Sequence, residues 1–443
     1  VRGIPTREIR VIRGYAGHLK AMGEKHTMQL SAHDRDILRA LANEIAEVAA
    51  LPSHQERIRL WSRLNSLERV KPLVWINEIP WHEMDVNGEL TCRCEGELAR
   101  AHETQLRRTL YQWRHMPGDM VVEPLLYSPL VIHDTGFGIA EDVDIVKTDE
   151  HSSVVSRRFH LQIQSEADLA KIRMPQVTHD AEASERNYRA LLEAVGDILP
   201  VVKRGAPGFW FAPWDELIRW WGVQEAMIDL VAKPELVHHA MDRLVSAYLH
   251  RLEQYEAQNL LAFNNTNVRI GSGGLGYCDE LPQPDADPQH VRPIDLWGCA
   301  TAQIFAGVSP AMHEEFALQY ERRWLERFGL NYYGCCEPLD LKVAMLRSVP
   351  RLRKISMSPW VELDRAAKNV GTDFVFSWKP SPAIFAEDRW QPAKARQMLQ
   401  EGLAKTRGCV VEVIMKDIST VRYEPQRLWE WAHIAAEVTE QFA

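Results

Sequence analysis

Two neighbouring cysteines and a glutamate are the strongest candidates for chemistry in this sequence. Cys335, Cys336 and Glu337 follow the short apolar run 330–333 in a turn bounded by Gly and Pro, and Cys409 opens a second apolar run. Thiolates and a carboxylate from the ends of two strands suit zinc, and a catalytic zinc keeps one position for substrate. These side chains predict a zinc site, although a single cysteine is more often a small buried apolar residue.

The composition is that of a globular protein. Of the 443 residues, 46% are hydrophobic, and 61 acidic against 52 basic side chains give a formal net charge of −9. No cluster of Lys and Arg stands out, so nucleic acid is not an expected partner. No run of about 18 apolar residues occurs, and no secretory pattern opens the sequence, which predicts a cytoplasmic protein without a membrane partner. The odd number of cysteines, seven, argues against a disulfide framework.

The first part of the chain has helical periodicity. Apolar residues at helical spacing predict one helix over 31–49 and a second up to about residue 67, and a strand follows over 73–76. Asn87-Gly88 indicates a hairpin turn. We interpret residues 1–119 as an N-terminal helical cap with the first strand region.

Residues 120–443 alternate short β-type runs with longer helical runs. This alternation predicts parallel βα units, and their number favours an α/β fold of the (β/α)8 (TIM) barrel type with an N-terminal helical extension. The predicted strands are 121–126, 198–202, 260–263, 330–333, 354–357, 373–376 and 410–414. The predicted helices are 223–255, 310–328, 339–348, 363–369 and 392–404.

Aromatic and polar residues follow several of these strand runs. Barrel enzymes place their active sites at the carboxyl ends of the strands, so these residues are candidates for substrate binding. An aromatic lining suits a flat ligand or a quaternary ammonium, although most tryptophans serve packing. The candidates are Trp81, Trp210, Asn264, Trp297, Ser358 and Trp360.

A glycine-rich segment, residues 271–276, has the spacing G-x-G-x-x-G. A dinucleotide site requires a helix after this motif, whereas Pro282 and Pro284 disfavour a helix here. We therefore predict a mobile loop or lid instead of a cofactor site.

Four segments resemble a known family. They are 295–298 with Gln303, 333–340, 352–360 and 379–383. They are similar to the uroporphyrinogen decarboxylase superfamily, and within it to the methyltransferase branch of corrinoid-dependent O-demethylases, over about residues 70–435. The resemblance implies a zinc-binding barrel that moves a methyl group from a small molecule to the cobalt of a partner corrinoid protein or cobalamin. It also implies a substrate-binding role for Gln303, and a homodimer.

The resemblance also implies a ligand set. Zinc methyltransferases of the superfamily use a His-x-Cys pair and a later cysteine, and Cys409 matches the later one at a similar spacing from Cys336. The histidine position is Gly334 if Cys336 is the ligand, or Tyr333 if Cys335 is, and both depart from the pattern. Glu337 then becomes the replacement ligand, with Glu412 as the alternative and Cys335 as a further candidate.

The expected reaction requires activation of the atom that leaves the methyl group. A zinc ion does this as a Lewis acid, and without zinc a general acid has to protonate the leaving atom. The candidate acids are Glu78, His82, Glu83, Lys379 and Asp417. The donor is expected to be a methoxy-aromatic or methylamine-type compound. Two other interpretations are a decarboxylase-like lyase that acts without metal, and a noncatalytic barrel that binds a partner.

Overall fold

The computed structural model describes residues 30–146 and 156–443, so residues 1–29 of the predicted cap lie outside it. The helices α1 to α13 are Ala32–Ala49, Ser53–Asn65, Glu97–His115, Ala181–Val195, Pro213–Trp221, Val223–Ala232, Pro234–Ala257, Pro310–His313, Gln319–Leu325, Val343–Leu346, Leu363–Val370, Pro392–Lys405 and Gln426–Glu440. The strands β1 to β12 are Leu73–Ile76, Leu126–Pro129, Ile132–Asp134, Val143–Val146, Ser156–Phe159, Val177–His179, Val201–Arg204, Trp297–Ala300, Leu330–Tyr333, Leu352–Met357, Val375–Trp378 and Val410–Met415. Short 3-10 helices span Trp81–Glu83, Glu166–Lys171, Pro293–Asp295, Gln303–Gly307 and Pro382–Ala386, and a π-helical turn spans Glu314–Leu318.

A six-stranded parallel sheet, in the order β1-β12-β11-β10-β9-β8, forms the centre of this mixed α/β fold. β2 and β7 form a separate parallel pair, and a parallel bridge from Ala206 to Leu261 follows β7. β3–β6 and β4–β5 are antiparallel pairs. The predicted parallel βα units are confirmed in the six-stranded sheet. Closure into an eight-stranded barrel stays a prediction.

The strands of this sheet alternate between two environments. Apolar residues such as Ile355 and Val413 belong to the main core with the surrounding helices. Their neighbours Lys354 and Glu412 point to the other face, because successive side chains of a strand alternate. Lys354 Nζ lies 2.8 Å from Glu412 Oε2, and both side chains are fully buried. This face therefore carries a buried charge pair beside apolar residues such as Val375 and Leu73.

The glycine-rich segment packs against this face of the sheet. The Gly274 N–H donates to Glu412 Oε1 at 3.2 Å, and a Cβ at Gly274 would lie 2.4 Å from the Trp61 ring. Ser272 Oγ donates to the carbonyl of Gly334 at 3.1 Å. The prediction of a mobile lid is wrong, because these glycines allow the backbone to approach the strand side chains closely.

Several local predictions can be compared with the structure. The N-terminal helices are confirmed as α1 and α2, and Ser31 caps α1 by accepting from the Asp34 N–H at 3.0 Å. The strands predicted over 330–333, 354–357, 373–376 and 410–414 correspond to β9 to β12.

Other predictions were wrong in detail. The hairpin at Asn87-Gly88 does not form, because Asp85 accepts from the Leu90 N–H and the Thr91 hydroxyl in a local turn. The helix predicted over 223–255 is divided at Pro234, which lacks an N–H and starts a new helix at its first position.

No helix among residues 30–146 and 156–443 has the length and apolarity needed to cross a membrane.

Candidate functional site

Five side chains meet beyond the carboxyl ends of β1, β9 and β12. The buried ammonium of Lys416 lies 3.3 Å from Cys335 Sγ, 2.9 Å from Asp417 Oδ2 and 3.6 Å from Glu78 Oε2. Cys336 Sγ lies 3.5 Å from Cys335 Sγ. We call Glu78, Cys335, Cys336, Lys416 and Asp417 the Lys416 cluster. The cluster occupies the end of a parallel sheet where α/β proteins bind their ligands.

The backbone of this cluster is strained at two non-glycine residues. Glu78 has φ 52° and Asp417 has φ 56°, a region that costs about 1–3 kcal/mol for such residues. The Asp417 N–H donates to Glu78 Oε2 at 3.2 Å, which ties the two strained residues together. Strain of this kind is concentrated at functional sites.

A glycine presents the two cysteines to the cluster. Gly334, directly after β9, has φ 95°, and a Cβ there would lie 2.4 Å from Leu339 Cδ1. The turn is also fixed by Ser356, whose hydroxyl donates to the carbonyl of Cys335 at 2.7 Å. Any residue with a side chain would disturb this turn.

The two thiols are in different electrostatic states. A hydrogen bond from Cys336 and the charge of Lys416 lower the pKa of Cys335, although burial opposes this. The pKa of Cys336 is raised well above its usual value by the same hydrogen bond and by burial. Burial also disfavours the charge of Lys416, but the neighbouring Cys335 and Glu78 raise its pKa well above the usual range. These directions make Cys335 the more acidic of the two thiols, beside the ammonium of Lys416.

Lys379 follows β11 and is a second buried cation. Its Nζ donates to Tyr332 Oη at 2.8 Å and to Ser377 Oγ at 3.3 Å. Burial, followed by the charge of Lys416, lowers the pKa of Lys379 to about 8. An amine with this pKa can carry and release a proton near neutral pH.

The residues predicted to bind zinc do not form one ligand set. Cys409 lies at the amino end of β12, where its Sγ donates to the carbonyl of Ala367 at 3.6 Å. Cys336 lies beyond the carboxyl end of this strand, where its Sγ contacts Asp417 at 3.6 Å. Six residues of strand span roughly 20 Å, so the two cysteines cannot share a metal ion.

Glu337 and Cys335 also have other partners. The buried carboxylate of Glu337 accepts from the Thr301 hydroxyl at 2.9 Å and from the Cys335 N–H at 2.9 Å, which fixes the turn. The ammonium of Lys416 lies against Cys335. In the described ranges, no group of three or more His, Cys, Asp or Glu side chains is arranged to hold a metal ion. The residues present do not fit the predicted zinc, and the prediction of a Cys336–Cys409 shell is wrong.

Cys409→Ala is expected to leave zinc content and activity unchanged, because this side chain lies at the opposite end of β12. Elemental analysis of the purified variant, beside wild type and Cys336→Ala, measures this directly. Loss of a stoichiometric zinc from Cys409→Ala would contradict the position of Cys409 away from Cys336. It would also restore the ligand set predicted from the sequence.

Two predicted substrate residues have structural roles. Trp297 begins β8, at the amino end of the sheet, and its indole N–H donates to the carbonyl of Gly276 at 2.9 Å. Asn264 bonds both the carbonyl and the N–H of Trp297 at 2.9 Å. Trp297 therefore lies at the opposite end of the sheet from the Lys416 cluster. The substrate-binding roles of Trp297 and Asn264 stay predictions.

The other predicted residues lie at several places around the strand ends. Gln303 donates to the buried Asp215. Trp81 packs on helix α3, where the Arg108 guanidinium lies 5.1 Å from its ring centre. His82 lies 3.6 Å from Glu83 Oε1. Gln303 and Trp81 thus have partners outside the Lys416 cluster.

Three more predicted residues differ in exposure. Trp210 is half-buried against the apolar cluster that contains Trp297. Trp360 is 58% exposed after β10. Ser358 is fully buried, and its hydroxyl has no hydrogen-bond partner in the described part of the chain.

A cavity of about 550 Å³ lies beside the cluster on the helix side of the sheet. It is bordered by helices α11 and α12 and by the residues that follow β11, with Ser358, Trp378 and Lys379 in its wall. Lys379 lines the cavity, but none of the five residues of the Lys416 cluster does. Buried charge is concentrated at the cluster and at Lys379, so we take them together as the candidate site.

Sequence reasoning missed part of the site. Arg269, whose guanidinium donates to Glu78 Oε1 at 2.8 Å, comes from the loop after the Leu261 bridge. Tyr332 was assigned only to a strand, although its hydroxyl meets Ser377 at 3.0 Å and Lys379. The available signal was the β-strand alternation, which places Tyr332, Lys354 and Ser356 on one polar face.

Comparisons with known proteins give limited similarity. No family model matches the chain, and no curated protein matches it. The chain is similar to the solved structure of a methyltransferase from Methanosarcina mazei, with 13% identity and a TM-score of 0.48, over 87% of this chain and 99% of that one. These values define neither a family nor an activity.

Proposed function

We propose that this protein is a methyltransferase that moves a methyl group from a small methoxy-aromatic or methylamine-type donor to the cobalt of a corrinoid protein or free cobalamin. The sequence resemblance supports this class of reaction. The observation that carries the proposal is the pairing of the strained Lys416 cluster with the buried ammonium of Lys379, all at the carboxyl ends of parallel strands.

The chemical requirement is protonation of the leaving atom. When the methyl group departs, a methoxy oxygen gains negative charge, and a proton donor lowers the barrier by meeting that charge. Lys379 is the proposed donor, because burial and Lys416 lower its pKa to about 8. The corrinoid supplies the nucleophile that accepts the methyl group. No step uses zinc, since the residues do not form its ligand set.

The Lys416 cluster sets the conditions for Lys379. The positive charge of Lys416 helps to make Lys379 a stronger acid. The carboxylates of Glu78 and Asp417 and the thiol of Cys335 hold Lys416 in place. The cluster is thus proposed to position and tune the acid, with Tyr332 and Ser377 orienting its ammonium.

The first experiment mixes the purified protein with cob(I)alamin and a panel of methoxybenzenes and methylamines. The proposal expects loss of cob(I)alamin absorbance together with a demethylated product, detected by mass spectrometry. Treatment with EDTA should not reduce this rate. Release of carbon dioxide from a carboxylated substrate without an acceptor would instead favour the lyase, and inactivity towards the whole panel would count against the proposal.

The pH dependence gives a separate prediction. Lys379 must carry its proton, so the rate should be highest below its pKa of about 8 and fall as the pH rises through that value. The groups that influence its charge are Lys416, Cys335, Glu412 and Cys336. Single-turnover rates from pH 6 to 10 measure the profile. The residual rate of Lys379→Gln should not fall in this way as the pH rises. If the rate of this variant fell at the same pH, Lys379 would be excluded as the cause of the pH dependence.

A further inference from the structure

The proposed proton transfer leaves the two thiols without a direct role. Cys335 and Cys336 are adjacent in sequence, and their sulfur atoms lie 3.5 Å apart beside the ammonium of Lys416. Cys335 is buried and Cys336 is half-buried. The pair is thus a vicinal dithiol in which Cys336 is the more exposed member.

A disulfide between these residues is disfavoured. Adjacent Cα atoms lie about 3.8 Å apart across a trans peptide, whereas a relaxed disulfide needs about 4.4–6.8 Å. The sulfur separation instead suits a single larger atom that bonds both sulfurs. The geometry therefore favours a bridging ligand over oxidation of the pair.

We propose that Cys335 and Cys336 form a binding site for thiophilic trivalent centres of the monosubstituted arsenical class. In the reaction, R–As(OH)2 exchanges two As–O bonds for two As–S bonds. The two thiol protons leave with the two hydroxide groups as two water molecules. No oxidant or reductant is required, because arsenic stays trivalent and the sulfurs stay at the thiol level.

The position of each thiol gives an order of binding. Cys336 is the half-buried member, so it forms the first bond, and Cys335 then closes the ring from within the site. This second bond is intramolecular, so it adds affinity through a high effective concentration. Lys416 lies against Cys335 and stabilises the anionic form of the sulfur that makes the closing bond.

The other closely spaced cysteines are arranged differently. Cys92 Sγ contacts Thr104 Oγ1 at 3.2 Å, whereas Cys94 Sγ donates to the carbonyl of Asp34 at 3.9 Å. These two sulfurs have separate partners and no contact with each other among the described hydrogen bonds. Cys92 therefore offers a matched control for the Cys335–Cys336 pair.

The test uses phenylarsine oxide and the full chain, with native mass spectrometry and thiol titration as readouts. Wild type should gain one phenylarsenic group and lose two titratable thiols, with reversal by ethanedithiol but not by a monothiol. Cys336→Ser should lower the affinity by about 10²-fold, because the chelate is lost. Cys92→Ser should bind like wild type.

Two results would overturn the site. One is wild-type affinity in Cys336→Ser, and the other is loss of the adduct in Cys92→Ser. Cys335→Ser, checked for folding by circular dichroism, gives a second variant of the pair. Binding is measured without turnover. The arsenical-binding result would therefore stay valid even if the protein transferred no methyl group.

Discussion

Lys379→Met is expected to lower the rate of methyl transfer by about 10²–10⁴-fold, the usual contribution of a general acid. The substitution removes the only ammonium that contacts Tyr332 among the described hydrogen bonds, and it keeps a long apolar side chain in its place. Because a buried charge opposes folding, the variant should be as stable as wild type. The loss should therefore appear in the rate and not in the unfolding midpoint.

The matched control is Lys368→Met, an exposed lysine on helix α11 that does not line the cavity. It makes the same chemical change away from the Lys416 cluster and should keep the wild-type rate. The two variants are compared by single-turnover loss of cob(I)alamin absorbance. A wild-type rate in Lys379→Met would exclude this lysine as the acid and direct attention to the Cys336 thiol.

Lys354→Met is expected to destabilise the protein by about 3–5 kcal/mol, because it leaves a buried carboxylate without its partner. Lys354 and Glu412 are both fully buried, 2.8 Å apart. The Trp61 and Trp297 rings lie 5.7 and 5.6 Å from the ammonium. Thermal unfolding monitored by circular dichroism gives the midpoint for comparison with the exposed Lys368→Met.

A double variant separates the cause. Lys354→Met with Glu412→Leu removes both charges and should recover most of the lost stability, since apolar replacement of a buried pair is often neutral or stabilising. The double variant could instead lose as much stability as the Lys354→Met and Glu412→Leu single variants together. In that case the unpaired charge would not be the cause of the lower stability of Lys354→Met. Recovery would show that the orphaned carboxylate destabilises the single variant.

The sequence by itself predicted the parallel βα pattern and the location of much of the site. Runs of apolar residues over 330–333 and 410–414 correspond to β9 and β12, because their side chains are buried on a helix-covered sheet. Some of the residues that follow these runs therefore lie close together. Cys335, Cys336 and Asp417 meet in the structure for this reason.

Tertiary structure alone decided which end of a strand each residue occupies. Cys409 has a suitable side chain and spacing for a metal ligand, but it precedes β12 and lies roughly a strand length from Cys336. Trp297 likewise lies at the amino end of its strand, because it starts β8. A strand of six residues is long compared with a metal–ligand bond, so a small shift in the predicted boundary changes the chemistry.

Only the folded chain determined the partners of the charged residues. The sequence offered Asp417 as a candidate acid, whereas the structure pairs it with Lys416, which also contacts Glu78 and Cys335 from two other strand ends. The pKa values of Lys379 and Cys335 follow from burial and from charges distant in sequence. Local periodicity determines the strands, but packing between strands determines which charges meet and how strongly they interact.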